Sequence, residues 1–286
     1  VAPSLIPVKP GDRVKTDRRD AIKLAEYLRA DLLTEVAPPT QKQEAVRDLV
    51  RQRDAATTDL GRARQRLSKF LIRRHLTHGG TNWTQKHMKW LNTLTFEDSI
   101  DEHVFRDLYE QVQHQVQRKQ QLTRVLEEVA THEPYREPVG WLRCLRGIDT
   151  VTAITIIAEL FDFHRFASAR KLMGYLGLTP SEHTSGETRR GSITKAGNGH
   201  VRRALVEAAQ HSNRPFRISS ALRARRAHQP PQVIAHADRA MRRQYLVFWR
   251  LIRRGKHRNV AVTACARELV GFIWALLHPD AGVRPK

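Results

Sequence analysis

Ser185 and Gly186 stand in the run HTSGETRRGSITKAGNGHVRRAL, with Arg189, Arg190, Lys195, Arg202 and Arg203 after them. A serine attacks phosphorus when its hydroxyl is accessible, something takes its proton, and positive charge lies where the oxygens gain charge. Gly186 keeps the approach open, and the arginines and lysine can clamp a phosphate. No His–Asp pair is spaced to act as base; His183 is close, with a direction the sequence does not fix. By composition alone Ser181, Ser185 and Ser192 also read as solvated loop hydroxyls. The turn Gly197-Asn198-Gly199 leads into a helix whose first amides, with Lys195, Arg202 and Arg203, form a phosphate cradle. Non-enzymatic binding of a nucleic-acid backbone explains these residues equally well.

Two other constellations bear chemistry. Asp17 and Asp20 in TDRRDA are spaced i, i+3 at a helix start, so both carboxylates can face one side. Paired carboxylates suit Mg²⁺-assisted phosphoryl transfer, because Mg²⁺ keeps waters and takes few protein oxygens. Acids in a first helical turn also simply favour the helix dipole, and two are too few for a two-metal site. In LRCLRGIDTVTAITIIAEL, the turn at Gly147-Ile148 between two apolar segments resembles a helix-hairpin-helix, whose second-helix amides can face a phosphate. Asp149 occupies the place of the usual second glycine, so a hairpin that only packs is equally open.

The elements that must position these residues are mostly helical. Residues 2–8 read as an extended segment, and the chain then turns at Pro10-Gly11 into a helix carrying Ile22, Leu24, Ala25, Leu28 and Leu32. After Pro38-Pro39, one long helix is predicted from about Gln41 to His75 and a second from about Phe96 to Thr131, separated by a Gly-Gly loop. They suggest an antiparallel hairpin or an intermolecular coiled coil. Beyond THEPYREP the pattern is compact and α-rich: the Gly147 turn, a helix that stops at Gly177, and a polar loop TPSEHTSGETRRGS. The helix NGHVRRALVEAAQHS, a basic section with at least one more helix, and a final apolar helix follow.

Composition supports a folded, nucleic-acid-facing protein. Hydrophobic content of 40% fits a folded chain, and 7% aromatic favours helices over a sandwich. Fifty Lys and Arg against 29 Asp and Glu give +21, a surface that calls for a polyanion. Between Arg217 and Arg258 there are twelve basic residues and one acid, Asp238. The two cysteines, Cys144 and Cys265, are far apart and lack His partners at ligand spacing, which argues against a zinc ribbon or a disulfide framework and fits a reducing cytoplasm. No apolar run of about eighteen residues indicates a membrane span, and the first residues do not have the pattern of a signal peptide.

KTDRRDA, LRGIDTVTAITIIAEL, RFASARKLMGYLGLTPSEHTSG and GSITKAGNGHVRRAL occur here in the order found in one transposase family. The chain resembles the insertion-sequence transposases of the IS110 family, DEDD-type enzymes that act as bridge-RNA-guided DNA recombinases. The resemblance implies a mainly α chain. Residues 1–40 would be the C-terminal remnant of a RuvC-like (RNase H fold) domain, 41–132 a coiled-coil helical hairpin, and 138–286 the transposase domain with the helix-hairpin-helix-like element. It implies Ser185 as the nucleophile of a covalent phosphoserine link, and Asp17 and Asp20 as the last two of four Mg²⁺-binding (or Mn²⁺-binding) acids. Gly147, Ile148, Arg189, Arg190, Lys195, Arg202 and Arg203 would meet nucleic acid. The implied partners are donor and target DNA, a noncoding guide RNA and further copies of the chain in a dimer or tetramer, in the bacterial cytoplasm and without a membrane.

In that family the first Asp and the Glu of the quartet lie on strands ahead of the position of Val1. The expectation is therefore an N-terminally truncated protein, inactive in metal-dependent catalysis by itself. Two alternatives compete with the recombinase. One is a non-catalytic DNA- and RNA-binding assembly fragment. The other is a RuvC-like junction resolvase, which would hydrolyse without a serine adduct.

Overall fold

A computed structural model describes residues 6–7, 16–33, 36, 38–185 and 187–278, the side chains of 183–190 excepted. The chain is mainly helical, and it divides into two compact units, residues 1–42 and 43–286. The extended segment expected over 2–8 lies outside the described residues, apart from 6 and 7.

In the first unit, α1 (Asp17–Arg29) starts where Thr16 accepts a hydrogen bond from the Arg19 amide, with Asp17 and Asp20 in its first turn. Its Tyr27 is buried. Ile22, Leu24, Leu28 and, just beyond the helix, Leu32 are exposed, so the apolar stripe read from the sequence is real but largely uncovered.

In the second unit, α2 (Gln41–Arg73) and α4 (Ser99–Val129) are the two long helices that the periodicity predicts. Arg74 pairs with Asp101, Arg118 with Asp59 at 3.2 Å, and Arg53 with Thr123 at 3.3 Å. One residue number falls as the other rises, so α2 and α4 run antiparallel. Leu60, Leu67, Phe70, Phe105 and Val112 fill the seam at one end. The intervening Gly-Gly loop also holds a short helix that the sequence reading passed over, α3 (Gln85–Leu91), capped by Thr84.

The remaining helices form one bundle. These are α5 (Arg136–Arg143), α6 (Thr150–Leu160), α7 (Ala169–Tyr175), α8 (Gly199–Ala209), α9 (Ser220–Arg226), α10 (Pro231–Arg253) and α11 (Arg258–Leu277). Val50 of α2 and Leu126 of α4 join its core, so the long-helix pair is packed onto it. α11 is apolar enough by length and composition to cross a membrane, yet it is a core helix. It packs against α10, α8 and α7, with Cys265, Leu269, Val270, Ile273 and Leu276 buried. Cys144 and Cys265 are free and buried, and burial pushes both thiols up to about 11.

α6 shows tertiary context overriding local propensity. TVTAITIIAEL is rich in β-branched residues, which lose side-chain freedom in a helix. Ala153, Ile154, Ile156, Ala158 and Leu160 are almost wholly buried, each larger side chain contributing about 2 kcal/mol, and that outweighs the propensity cost. Asp149 caps the start by accepting from the Thr152 amide at 2.8 Å.

One expectation is corrected. TPSEHTSGETRRGS is not a plain polar loop but an antiparallel hairpin, β1 (Pro180–Ser185) and β2 (Glu187–Ile193). Its register pairs Ser185 with Glu187, Thr184 with Thr188, His183 with Arg189 and Glu182 with Arg190, and shifts between Pro180 and Glu182. There Ser181 donates to the Ser192 carbonyl at 3.0 Å, and a Cβ at Gly191 would fall 2.4 Å from the Ser181 hydroxyl. A side chain at 191 would have to displace that hydroxyl from its bond to Ser192.

Candidate active site

The base of the hairpin is built by two backbone crossings. Gly177 has φ +61, and a Cβ there would lie 2.4 Å from the Ala196 nitrogen. Gly197 has φ +63, and its Cβ would lie 1.8 Å from the Tyr175 carbonyl oxygen. Both positions need glycine for conformation and for space. Between them Lys195 is exposed, adopts the left-handed region (φ +56) and donates its amide to the Gly177 carbonyl at 3.1 Å. Arg202 closes the clamp, donating to the Leu176 carbonyl at 2.9 Å and the Ala196 carbonyl at 2.7 Å.

Asn198 links this base to the buried interior. Its Oδ1 accepts from the Val201 amide at 3.0 Å, capping α8, and its Nδ2 donates to Glu159 at 2.7 Å. Glu159, 3% exposed on α6, also accepts from Nε and Nη2 of Arg51 on α2, at 2.8 and 2.9 Å. Burial would raise the Glu159 carboxyl, but hydrogen bonds from Arg51 and Asn198 outweigh it and hold the group below the ordinary glutamate range. The same bond to Glu159 raises Arg51. Beside this trio, Asp54 of α2 meets His200 at 3.1 Å and contacts Arg203. A three-helix polar lock thus sets where the hairpin leaves the bundle.

The structure brings some of the sequence-predicted residues together and gives others structural work. Lys195, Arg202 and Arg203 gather at the hairpin base, though Arg202 is occupied by carbonyls and Arg203 by Asp54. Gly147 has φ +85, and a Cβ there would meet the Ala208 carbonyl at 2.2 Å, so this turn packs directly on the end of α8. Ile148 is fully buried, and its carbonyl accepts from Arg225. The backbones of Ser185, Arg189 and Arg190 lie in the hairpin, and their side chains lie outside the described residues. Ser185 ends a six-residue strand, about 17 Å from its first residue at the usual rise. Asp17 and Asp20 belong to the other unit; among the described residues no three His, Cys, Asp or Glu assemble a metal site.

Glu159 and Arg51 are the residues that sequence reasoning missed. They stand 108 positions apart; Glu159 is next to last in the run LRGIDTVTAITIIAEL, where nothing local marks its role, and Arg51 lies in no motif. Asn198 was detectable, because Asn before a helical pattern is a cap signal.

Comparison with known proteins bears on the whole chain. The family model described as "Transposase IS116/IS110/IS902 family" matches residues 141–225, spanning the Gly147 turn, the hairpin and α8. A second, described as "Transposase", matches residues 8–75, including Asp17 and Asp20. The y4qE protein of Sinorhizobium fredii is 42% identical over 278 residues, covering 96% of this chain and 68% of that protein. The transposase for insertion sequence element IS1533 of Leptospira borgpetersenii is 38% identical over 255 residues, covering 87% of this chain and 73% of that protein. That for IS1111A of Coxiella burnetii is 28% identical over 154 residues, 53% of this chain and 36% of that protein. With matches of this identity and extent, the chain belongs to the IS116/IS110/IS902 family of insertion-sequence transposases.

Proposed function

We propose that this transposase breaks and rejoins DNA strands through a covalent phosphoserine link at Ser185, on sites chosen by a guide RNA. What chiefly supports the reading is the placement of Ser185 at the far end of a hairpin whose base is clamped by Gly177, Gly197 and Arg202. In the proposed step the Ser185 hydroxyl loses its proton and forms an Oγ–P bond. One P–O ester bond of the strand breaks, and the departing oxygen takes up a proton to leave as a hydroxyl. Rejoining reverses the exchange, so bond energy is conserved without a nucleotide cofactor.

Arg189, Arg190 and Lys195 are assigned to hold the phosphate. Asp17 and Asp20, one turn apart, suit a hard cation that keeps waters. Mg²⁺ (or Mn²⁺) bound there would stabilise charge on the phosphoryl oxygens. A full ligand set needs carboxylates beyond these two, which the family resemblance assigns to strands preceding them in sequence; an assembly of copies, a dimer or tetramer, would bring those acids and a Ser185 from different subunits into one composite site. Residues 1–40, 41–132 and 138–286 are read as the end of a RuvC-like domain, the connecting helical hairpin and the transposase domain.

The test is a denaturing gel of the protein expressed from its whole reading frame, with labelled donor and target DNA, guide RNA and Mg²⁺. A protein–DNA adduct is expected, lost in Ser185→Ala and suppressed in Asp17→Asn and Asp20→Asn while RNA binding persists. An adduct that survives Ser185→Ala rejects the assignment. DNA and RNA binding with no adduct under any condition favours the non-catalytic assembly reading. Cleavage without an adduct favours the resolvase.

A further inference from the structure

A cavity of about 620 Å³ opens beside the Gly147 turn, lined among others by Arg146, Asp149, His211, Arg214, Arg217 and Arg225. Its cations fall into two layers. At the floor, Arg146 is half-buried and donates to the carbonyls of Arg214, Pro215 and Arg217 at 2.9, 3.0 and 2.6 Å. Arg225 donates to the Ile148 carbonyl, and its Nε is buried without a partner among the described residues. These bonds fix the guanidinium groups in place but neutralise none of their charge.

At the mouth, Arg214 and Arg217 are exposed and have no acidic partner among the described residues. The one lining acid, Asp149, is engaged in capping α6. Burial first, and then the neighbouring arginines, lower both Arg146 and His211. Phe216 and Ile218 stand exposed at the same loop, with the Arg242 guanidinium 4.7 Å from the Phe216 ring centroid.

We propose that this cavity grips a phosphodiester of the DNA backbone, with Arg214 and Arg217 closing on the phosphate oxygens over a preorganised floor of Arg146 and Arg225. The proposal rests on the DNA-transposase reading and adds a place of contact remote in sequence from Ser185. Cations held by carbonyls lose little freedom when an anion arrives, so the floor is ready before binding. An apolar and aromatic rim beside a cationic floor matches a sugar–phosphate chain better than a free anion, which has nothing to offer Phe216. Because Arg214 and Arg217 are exposed, their removal leaves the core intact.

Anisotropy of a short labelled DNA duplex, titrated with the protein at several salt concentrations, tests the site. Arg214→Ala/Arg217→Ala is expected to weaken binding about tenfold and flatten the log–log salt slope by about 2. Arg62→Ala/Arg106→Ala, which removes equal charge from exposed positions on α2 and α4, leaves the slope nearly unchanged. Phe216→Ala weakens binding while keeping the slope. A parallel RNA arm identifies the source of the phosphate: a loss confined to RNA keeps the phosphodiester site and overturns its assignment to DNA. Equal losses in the two double variants, or none in either, overturn the site alone. An unaltered protein that fails to bind DNA at low salt overturns the proposed DNA strand exchange by this chain together with the site.

Discussion

Arg202 shows how one residue type can serve two ends that sequence cannot separate. It lies in a run of cations beside a glycine turn, where phosphate binding is the natural reading. In the fold its guanidinium instead bridges the carbonyls of Leu176 and Ala196 and holds the two stems of the hairpin together. The glycines of that clamp are equally constrained. Gly197→Ala would force a side chain onto the Tyr175 carbonyl at an unfavourable φ, and should destabilise the protein by about 2–3 kcal/mol, seen as a lower Tm. Gly61 offers the opposite control. It lies exposed within α2 with open space around its Cβ position, so Gly61→Ala should stabilise by roughly 0.5–1 kcal/mol.

Among the elements, the lock between α2, α6 and α8 is the most consequential. Arg51 and Asn198 keep the buried Glu159 ionised, and that pairing contributes stability above the ordinary glutamate range which is lost as pH falls through the lowered value. Arg51→Ala leaves a buried carboxylate with one neutral partner and should cost about 3 kcal/mol near neutral pH. Without the guanidinium, burial raises Glu159, so the variant recovers relative to wild type as acid protonates it. Thermal melts from pH 7 down to pH 4 should show the Tm gap closing; a constant gap would exclude Glu159 as the titrating group. Glu159→Gln, which removes the charge and keeps an amide, should cost less than Arg51→Ala at neutral pH.

For the whole molecule the governing quantity is the charge of +21. Self-repulsion at that charge opposes the compact state, and a bound polyanion relieves it. Duplex DNA in hundredfold excess over its Kd should therefore raise stability by about 2.7 kcal/mol, measured as a rise in Tm. The rise should shrink steeply between low and moderate salt, because counterion release drives the binding. A Tm indifferent to DNA at low salt would show that the charge serves another partner.

Sequence by itself determined the helical class, both long helices to within a few residues, the Gly147 and Gly177 turns and the family. Each has a local signature: apolar residues at helical spacing, a glycine where such a pattern breaks, a motif in order. The hairpin carrying Ser185 was not legible, because strand alternation shows only when one face is apolar, and SEHTSGETRRGS is polar throughout. Nor was the lock of Arg51, Glu159 and Asn198, whose members come from three separated helices and meet only once the core has closed. Tertiary structure alone decided which arginines are occupied by carbonyls and carboxylates and which stand unpaired at a basic cavity, since a guanidinium's partners are set by what folds against it.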